Sequence, residues 1–572
     1  MSSIGRHIVR RAHHLRHRPI DQLCWRVWFA LARPAPGLRP APRLRAQHGT
    51  WCPPARRVQS FLAPYRFRFL NVERGLDSPA AWNDPSLGRR WLYDLHNFHY
   101  LTAQDWRHGV RWHPTILQRW IAENPPARGI GWEPYPISLR LVNWIKWALA
   151  DNLLPNEAVH SLAVQTRHLC RRLERHIPGN HLLANAKALI FAGLFFAGDE
   201  ADHWCSAGVR LMMSQLARQI LPDGGHCERS PMYHSIVLED CLDLLNLTRA
   251  YGYRSSVTPW VDVIPRMQRW LAALCHPDGQ IAQFNDAAIG IAPEPAELAA
   301  YAARLGWGAC EQPHDRLVHL ADSGVVRLTR GPAVVLLDVG PLGPDDLPGH
   351  GHADTLTFEL SLFGRRVVVD SGVSSYGRTA ERLRQRGTAA HNTVVVDRRD
   401  SSEVWDDFRV GRRARVFGVA TADEFSRSRV SAAHDGYRRF GSVGDHRRSW
   451  ELSDGRLSIE DVIGGRGQHE IQVILHFHPD LCIRALGGGN FELTDRNGRR
   501  VATVELDPAL QGEVCATTQH PGFGVSLASQ KIIGTCTGQL PVRVVTNVSW
   551  TAGGMDGFGP CPEENDSSAG TH

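Results

Sequence analysis

A single change of hydrophobic period divides this chain and limits what it can fold into. From about Trp91 to about Leu305 apolar residues recur at three-to-four spacing, in Ile137–Ala150, Ala158–Leu173, His181–Phe196, Ala207–Leu221, Ser235–Tyr251 and Trp260–Cys275. Short loops join these segments, which implies stacked helical hairpins, as in a toroid or solenoid. From about Asp322 the period becomes two. Strands are predicted at Val325–Thr329, Val334–Val339, Thr355–Leu362, Arg366–Asp370, Thr393–Val396, Leu457–Val462 and Glu470–Phe477. An antiparallel sandwich fits them best. The expected class is therefore α+β and multidomain. The basic N-terminal arm and linker take residues 1–56, the helical domain 57–310, the β-sandwich 311–550, and a disordered Gly/Ser-rich tail 551–572.

Charge and cysteine content narrow the function classes. The formal charge is +7, but residues 1–47 hold ten arginines and one acid, Asp21, so the remainder is slightly acidic. A basic nucleic-acid-binding body is not expected. No apolar run approaches the roughly 20 residues that span a bilayer. Leu23–Ala32 is apolar but interrupted by Arg26, so it reads either as a poor signal-peptide core or as a basic amphipathic arm lying on another surface. The twelve cysteines form no CxxC pair, which argues against a zinc ribbon and a dense disulfide framework.

Polar clusters interrupt the apolar patterns. Gly179-Asn180-His181 opens a helix that continues through Asn185 and Lys187, and Asn180 there serves equally as a cap. The loop Asp223–His234 gathers His226, Glu228, Arg229, Tyr233 and His234 beside turn-forming glycines, more titratable chemistry than a helix connection requires. Gly349-His350-Gly351-His352-Ala353-Asp354, with Asp370 and His391-Asn392-Thr393, places His and Asp near the ends of successive expected strands. In a strand, His350 and His352 would share one face, and such residues suit a divalent metal, zinc above all. Asp278-Gly279-Gln280 and Phe284-Asn285-Asp286 form a weaker cluster. The stretch Trp132–Tyr135 with Ser138, Arg140, Asn143 and Trp144 reads as a sugar cleft or as core.

The Asn180-His181 helix start, the Asp-Gly-Gly-His-x-Glu-Arg-Ser-Pro-Met-Tyr-His loop at 223–234, the Gly-His-x-His-Ala-Asp stretch and Ala390-His391-Asn392-Thr393 together resemble the heparinase II/III family of polysaccharide lyases, from about residue 90 to about 480. The resemblance implies an N-terminal (α/α) toroid, a C-terminal antiparallel β-sandwich, and β-elimination on an anionic, uronate-containing polysaccharide, a bacterial exopolysaccharide or a glycosaminoglycan-like polymer. By position Asn180 would neutralise the substrate carboxylate. Tyr233, with a lowered pKa, would serve as base and acid on one face, and His350 would be an alternative base on the other. His181, Glu228, Arg229 and Tyr376 would line the cleft. His352, Asp370 and His391 would hold a structural zinc ion, leaving Asp354 without a role. The family implies a periplasmic or envelope location, although no clear signal peptide is present.

Two other classes compete. His350-x-His352-x-Asp354 resembles part of the signature of metallo-β-lactamase-like zinc hydrolases, but Thr355 stands where a histidine is required and no layered αββα pattern surrounds it. A non-catalytic glycan-binding or assembly protein of polysaccharide biosynthesis would keep the fold without the chemistry.

Overall fold

The computed structural model describes residues 13, 16–253, 258–308 and 312–551. Apart from Thr551, the tail expected to be disordered lies outside them. The helices are α1 (Ile20–Leu31), α2 (Arg89–Asn97), α3 (His113–Glu123), α4 (Pro134–Leu149), α5 (Asn156–Cys170), α6 (Asn180–Phe195), α7 (Asp199–Gln219), α8 (Pro231–Ala250), α9 (Pro259–Ala273), α10 (Pro295–Arg304) and α11 (Ala380–Arg386). From α4 to α9 each follows a segment predicted from periodicity. α1, α2, α3, α10 and α11 were not among the predicted segments. The helices of the toroid bury a continuous core in which Trp82, Trp120, Trp144 and Trp260 are fully enclosed. Trp144 and Arg140, read as cleft or core, belong to the core: Arg140 donates to the Gly131 carbonyl at 2.7 Å and lies 3.8 Å from the Trp120 ring.

The arm preceding the toroid is extended and bound along it. Arg45 N–H donates to the Phe195 carbonyl and Ala197 N–H to the Arg43 carbonyl. Arg167 spans the carbonyls of Gly37, Arg39 and Pro40. Residues 57–88, assigned to the helical domain, instead begin with a small antiparallel sheet of Phe61–Ala63, Arg66–Phe69 and Val72–Gly75.

The C-terminal domain contains an eight-stranded antiparallel sheet from Val416–Asp423 to Leu481–Gly487, a four-stranded sheet including Val394–Val396 and Gln468–His476, and a five-stranded sheet from Leu317–Leu320 to Arg365–Val368. Alternate residues of all three, among them Val335, Leu360, Val396, Trp450, Ile459 and Val473, share one core. That is the sandwich that period two requires. The expected strand at Thr355 begins only at Phe358, because Leu356 is left-handed at φ 64°.

The domains are joined by an apolar contact and by buried polar bonds. Trp270, Leu274 and Phe284 pack against Val325, Val334 and Leu336. Beside them His276 reaches Glu359 at 2.6 Å and Ser361 at 2.8 Å, and Arg327 donates to the Cys275 carbonyl at 2.7 Å. This junction brings the loop at 349–354 to the open end of the toroid. It also removes the structural basis of the metallo-β-lactamase-like alternative.

Candidate active site between toroid and sandwich

Local capping sets Tyr233 in place. Ser230 caps α8, its hydroxyl accepting from Tyr233 N–H at 3.3 Å, and Pro231 occupies the first turn, where its missing N–H costs nothing. The same hydroxyl donates to the Asp286 carbonyl at 2.6 Å. The Ser-Pro-Met-Tyr run thus ties α8 to the loop at 284–286. The phenol of Tyr233 lies 2.9 Å from that of Tyr376, and its ring is 4.2 Å from the His350 ring. Burial pushes the Tyr233 phenol well above its ordinary value, against the opposing charge of Arg90. The shift is opposite to the lowered value expected from the sequence, and it keeps the phenol protonated.

His350 and His352 do not lie on a strand. His350 ends a 3-10 turn, Pro348–His350, and the following residues are irregular. The side chains nevertheless meet on one carboxylate: His350 Nδ1 is 2.8 Å from Asp286 Oδ2 and His352 Nε2 is 2.9 Å from Asp286 Oδ1. Arg382, fully buried, completes the hub with a two-pronged ion pair to Asp286. Burial opposes ionisation of Asp286, but Arg382 and the two imidazoles outweigh it and hold the carboxyl well below the usual range. An ionised Asp286 orients the His350 ring through Nδ1 and leaves Nε2 on the side of Glu228.

Glu228 stands beside that nitrogen, with Oε2 3.6 Å from His350 Nε2. Its carboxyl is 1% exposed, and burial raises its pKa, with His350, His181 and the Asn180 amide only partly opposing. Gly179 permits this approach, since a Cβ there would lie 2.8 Å from Glu228 Oε1. Asn180 and His181 then open α6 beside it. His181 stacks on Tyr135 at 4.0 Å and its Nδ1 meets Glu174 at 3.0 Å. Glu174 is in turn held by Asn185. Asn180, Tyr233, His350, Glu228, His181 and Tyr376 are thereby brought together.

Arg229 is not brought to the cleft. Its backbone is left-handed, at φ 55°, and its guanidinium donates to the carbonyls of Ser323 at 2.9 Å and Cys227 at 3.2 Å. It clamps the toroid to the sandwich. Lys187, singled out with Asn180, is enclosed with Asp240 and Asp243. Arg90 was missed in the sequence. It lies near Tyr233, Tyr376 and Tyr135, pairs with Asp94 at 3.5 Å, and has a buried Nε without a hydrogen-bond partner.

The three expected metal ligands stay clustered, and Asp354 joins them. Among the described residues, His352, Asp354 and His391 converge, with one potential ligand atom from each within 4.8 Å of the others. Asp370, expected in the trio, accepts from His391 Nδ1 at 2.6 Å, on the far side of that ring. The buried nitrogens His352 Nδ1 and His391 Nε2 have no hydrogen-bond partner. Burial raises the carboxyl of Asp354. Two orphaned imidazole nitrogens and a desolvated carboxylate are a donor set that fits zinc.

Comparison with known proteins gives a consistent picture. Residues 87–294 match the heparinase II/III N-terminus and residues 312–551 the heparinase II/III-like C-terminal domain. A heparin-sulfate lyase of Bacteroides stercoris is 24% identical over 368 residues, covering 54% of this chain and 54% of that protein, so the match spans about half of the relative's length. FtsZ-localized protein C of Caulobacter vibrioides is 26% identical over 431 residues, covering 69% and 70%. A solved heparinase III superposes with a TM-score of 0.62 at 18% identity, over 82% of this chain and 80% of that one, and shares the helical toroid followed by a β-sandwich. With both of its domains matched, the chain belongs to the heparinase II/III family.

Proposed function

We propose that this protein is a polysaccharide lyase that cleaves a 4-linked, uronate-containing glycan by β-elimination. The observation that carries the reading is the convergence of Tyr233, His350 and Glu228 beside the Asn180 turn. The C5 hydrogen of a uronate is weakly acidic, so the adjacent carboxylate must first be neutralised. Asn180, beside a Glu228 carboxyl whose pKa burial raises, supplies hydrogen bonds for that, and these strengthen as negative charge moves onto the carboxylate. His350 Nε2 takes the C5 proton. The C5–H electron pair becomes the C4–C5 double bond, the C4–O4 bond breaks, and Tyr233 protonates the departing O4. Proton return from His350 to the tyrosinate resets both groups. Acid–base assistance of this kind contributes a factor of about 10² to 10⁴. Tyr376 holds the Tyr233 hydroxyl, and Arg90 with His181 faces the anionic chain.

Zinc at His352 Nδ1, His391 Nε2 and Asp354 would neutralise the buried acids there and lock the 350–354 loop to the sandwich. The proton transfers remain with His350 and Tyr233.

The reading is tested by incubating the protein with a panel of uronate polymers, bacterial exopolysaccharides included, and following near-ultraviolet absorbance of an unsaturated uronate. The expected result is a rise on at least one polymer that Tyr233→Phe abolishes while thermal unfolding stays unchanged. Chain cleavage without the chromophore, or a Tyr233→Phe variant at wild-type rate, contradicts it.

A further inference from the structure

Helix α1, Ile-Asp-Gln-Leu-Cys-Trp-Arg-Val-Trp-Phe-Ala-Leu from Ile20 to Leu31, presents its apolar stripe away from the protein. At about 100° per residue, Leu23, Val27, Ile20, Leu31, Cys24 and Trp28 fall within an arc of about 140°. Those residues are exposed: Ile20 by 79%, Leu31 by 76% and Val27 by 59%. The opposite face is the one fastened down. Gln22 is buried and donates to Asp346 at 2.6 Å. Phe29 lies 4.2 Å from the His176 ring with the Arg172 guanidinium 4.1 Å from its centre, and Arg175 sits over Trp25. The helix is thus fixed in place with its apolar side outward, the reverse of a surface helix that completes a core.

The chemistry around the stripe selects its occupant. Residues 1–47 carry ten arginines, no lysine and one acid, while the rest of the chain is slightly acidic. Trp28 borders the stripe at one edge and Trp25 follows beyond Asp21. Tryptophan favours the water–hydrocarbon boundary, and arginine-rich flanks favour anionic headgroups. Twelve residues make a helix about 18 Å long, too short to cross a hydrocarbon layer of about 30 Å but suited to lying in its surface. No described helix is long and apolar enough to cross a membrane.

We infer that α1 is a monotopic docking helix that seats the protein on a bilayer rich in acidic phospholipid. Its inner contacts are to His176, four residues before Asn180, and to Asp346, four before His350. Docking therefore holds the rim of the interdomain cleft close to the membrane surface.

The test is co-sedimentation of the full chain with vesicles of phosphatidylglycerol and phosphatidylethanolamine, against vesicles of phosphatidylcholine alone. The wild type is expected to pellet with the acidic vesicles, to release as salt is raised, and to leave neutral ones largely unbound. The double variant V27E/L31E is expected to lose about 100-fold in vesicle affinity. Leu153→Glu, at a 90% exposed leucine elsewhere on the toroid, is expected to change nothing. Thermal unfolding of the double variant matches the wild type, since neither side chain is packed. No binding by the wild type, or binding that V27E/L31E retains, overturns the inference. So does a wild-type dimer in sedimentation velocity that V27E/L31E disperses without any vesicle binding, because the stripe would then be an interface between copies of the chain.

Discussion

Asp286 meets the imidazole of His350 at 2.8 Å through one carboxylate oxygen, and with the other oxygen it meets His352. One buried acid thereby orients His350, beside Tyr233, and His352, beside Asp354 and His391. Replacing it by asparagine keeps the size but removes the charge that balances Arg382. Asp286→Asn is expected to lower turnover by about 100-fold through loss of the correct His350 tautomer. Zinc affinity falls by about 10- to 100-fold because His352 loses its outer partner. Stability falls by about 3–5 kcal/mol, as expected when one member of a buried ion pair is removed. Kinetics, metal titration and urea unfolding read the three effects separately.

The paired phenols separate chemistry from positioning. The Tyr233 ring lies 4.2 Å from that of His350, whereas the Tyr376 ring is 5.9 Å from it; Tyr376 hydrogen-bonds the Tyr233 hydroxyl and is packed by Phe523 and Arg382. Tyr233→Phe removes the proton donor and is expected to abolish turnover with little change in KM. Tyr376→Phe leaves the donor and loosens its aim, with a loss of about tenfold in kcat, in the range of one positioning hydrogen bond. Steady-state kinetics on the substrate found by the polymer panel distinguish them. Equal losses in the two variants would refute the division.

The metal site gives a contrast between two aspartates. Asp354 faces His352 and His391, while Asp370 backs His391. The protein purified with metal is expected to hold about one zinc per chain. Asp354→Asn is expected to abolish binding, whereas Asp370→Asn retains the ion with about 10- to 100-fold weaker affinity. Elemental analysis with a competing chelator decides this, and thermal unfolding before and after chelation reports the effect on the sandwich. The reverse ranking of the two variants would restore Asp370 as a ligand.

Acid sensitivity is expected from the sandwich core. Asp461 is buried beneath Arg448, 2.7 Å away, and His446, 2.6 Å away. Burial alone would raise its pKa, but those two partners hold it well below the usual carboxylate range. A carboxyl with a depressed folded pKa contributes stability that is present above its unfolded value, near 3.9, and is lost as pH falls through the folded value. Asp461→Asn is therefore expected to cost about 3–5 kcal/mol at neutral pH. That difference from the wild type narrows progressively below about pH 4. Urea midpoints across this range check the sign. A difference that grows with acidity contradicts it.

Much of this arrangement was legible in the sequence wherever a local pattern carried it. The helices α4 to α9 follow from apolar spacing, and Asn180, Tyr233 and His350 stand out because polar chemistry interrupts that spacing. What was not legible depends on the meeting of distant segments. Asp286 lies 64 residues from His350 and 96 from Arg382, and its partners exist only once the domains join. Asp354 and Asp370 are equally plausible ligands by composition. Only the folded loop, in which Leu356 is left-handed and no strand begins before Phe358, shows Asp354 beside both histidines. Arg229, placed in the cleft by the family resemblance, is instead occupied by backbone carbonyls of the neighbouring domain. The burial that raises the Tyr233 phenol is a property of the assembled cleft, which local sequence does not show.

Elimination and hydrolysis differ in one atom, and that difference tests the central claim most directly. The polymer identified as substrate is cleaved in water enriched in heavy oxygen and the products are weighed by mass spectrometry. Elimination by His350 and Tyr233 breaks the C4–O4 bond without adding water, so the account predicts unlabelled products, one of them an unsaturated uronate lighter by one water than the hydrolytic product. Incorporation of one heavy oxygen per cleavage would contradict it.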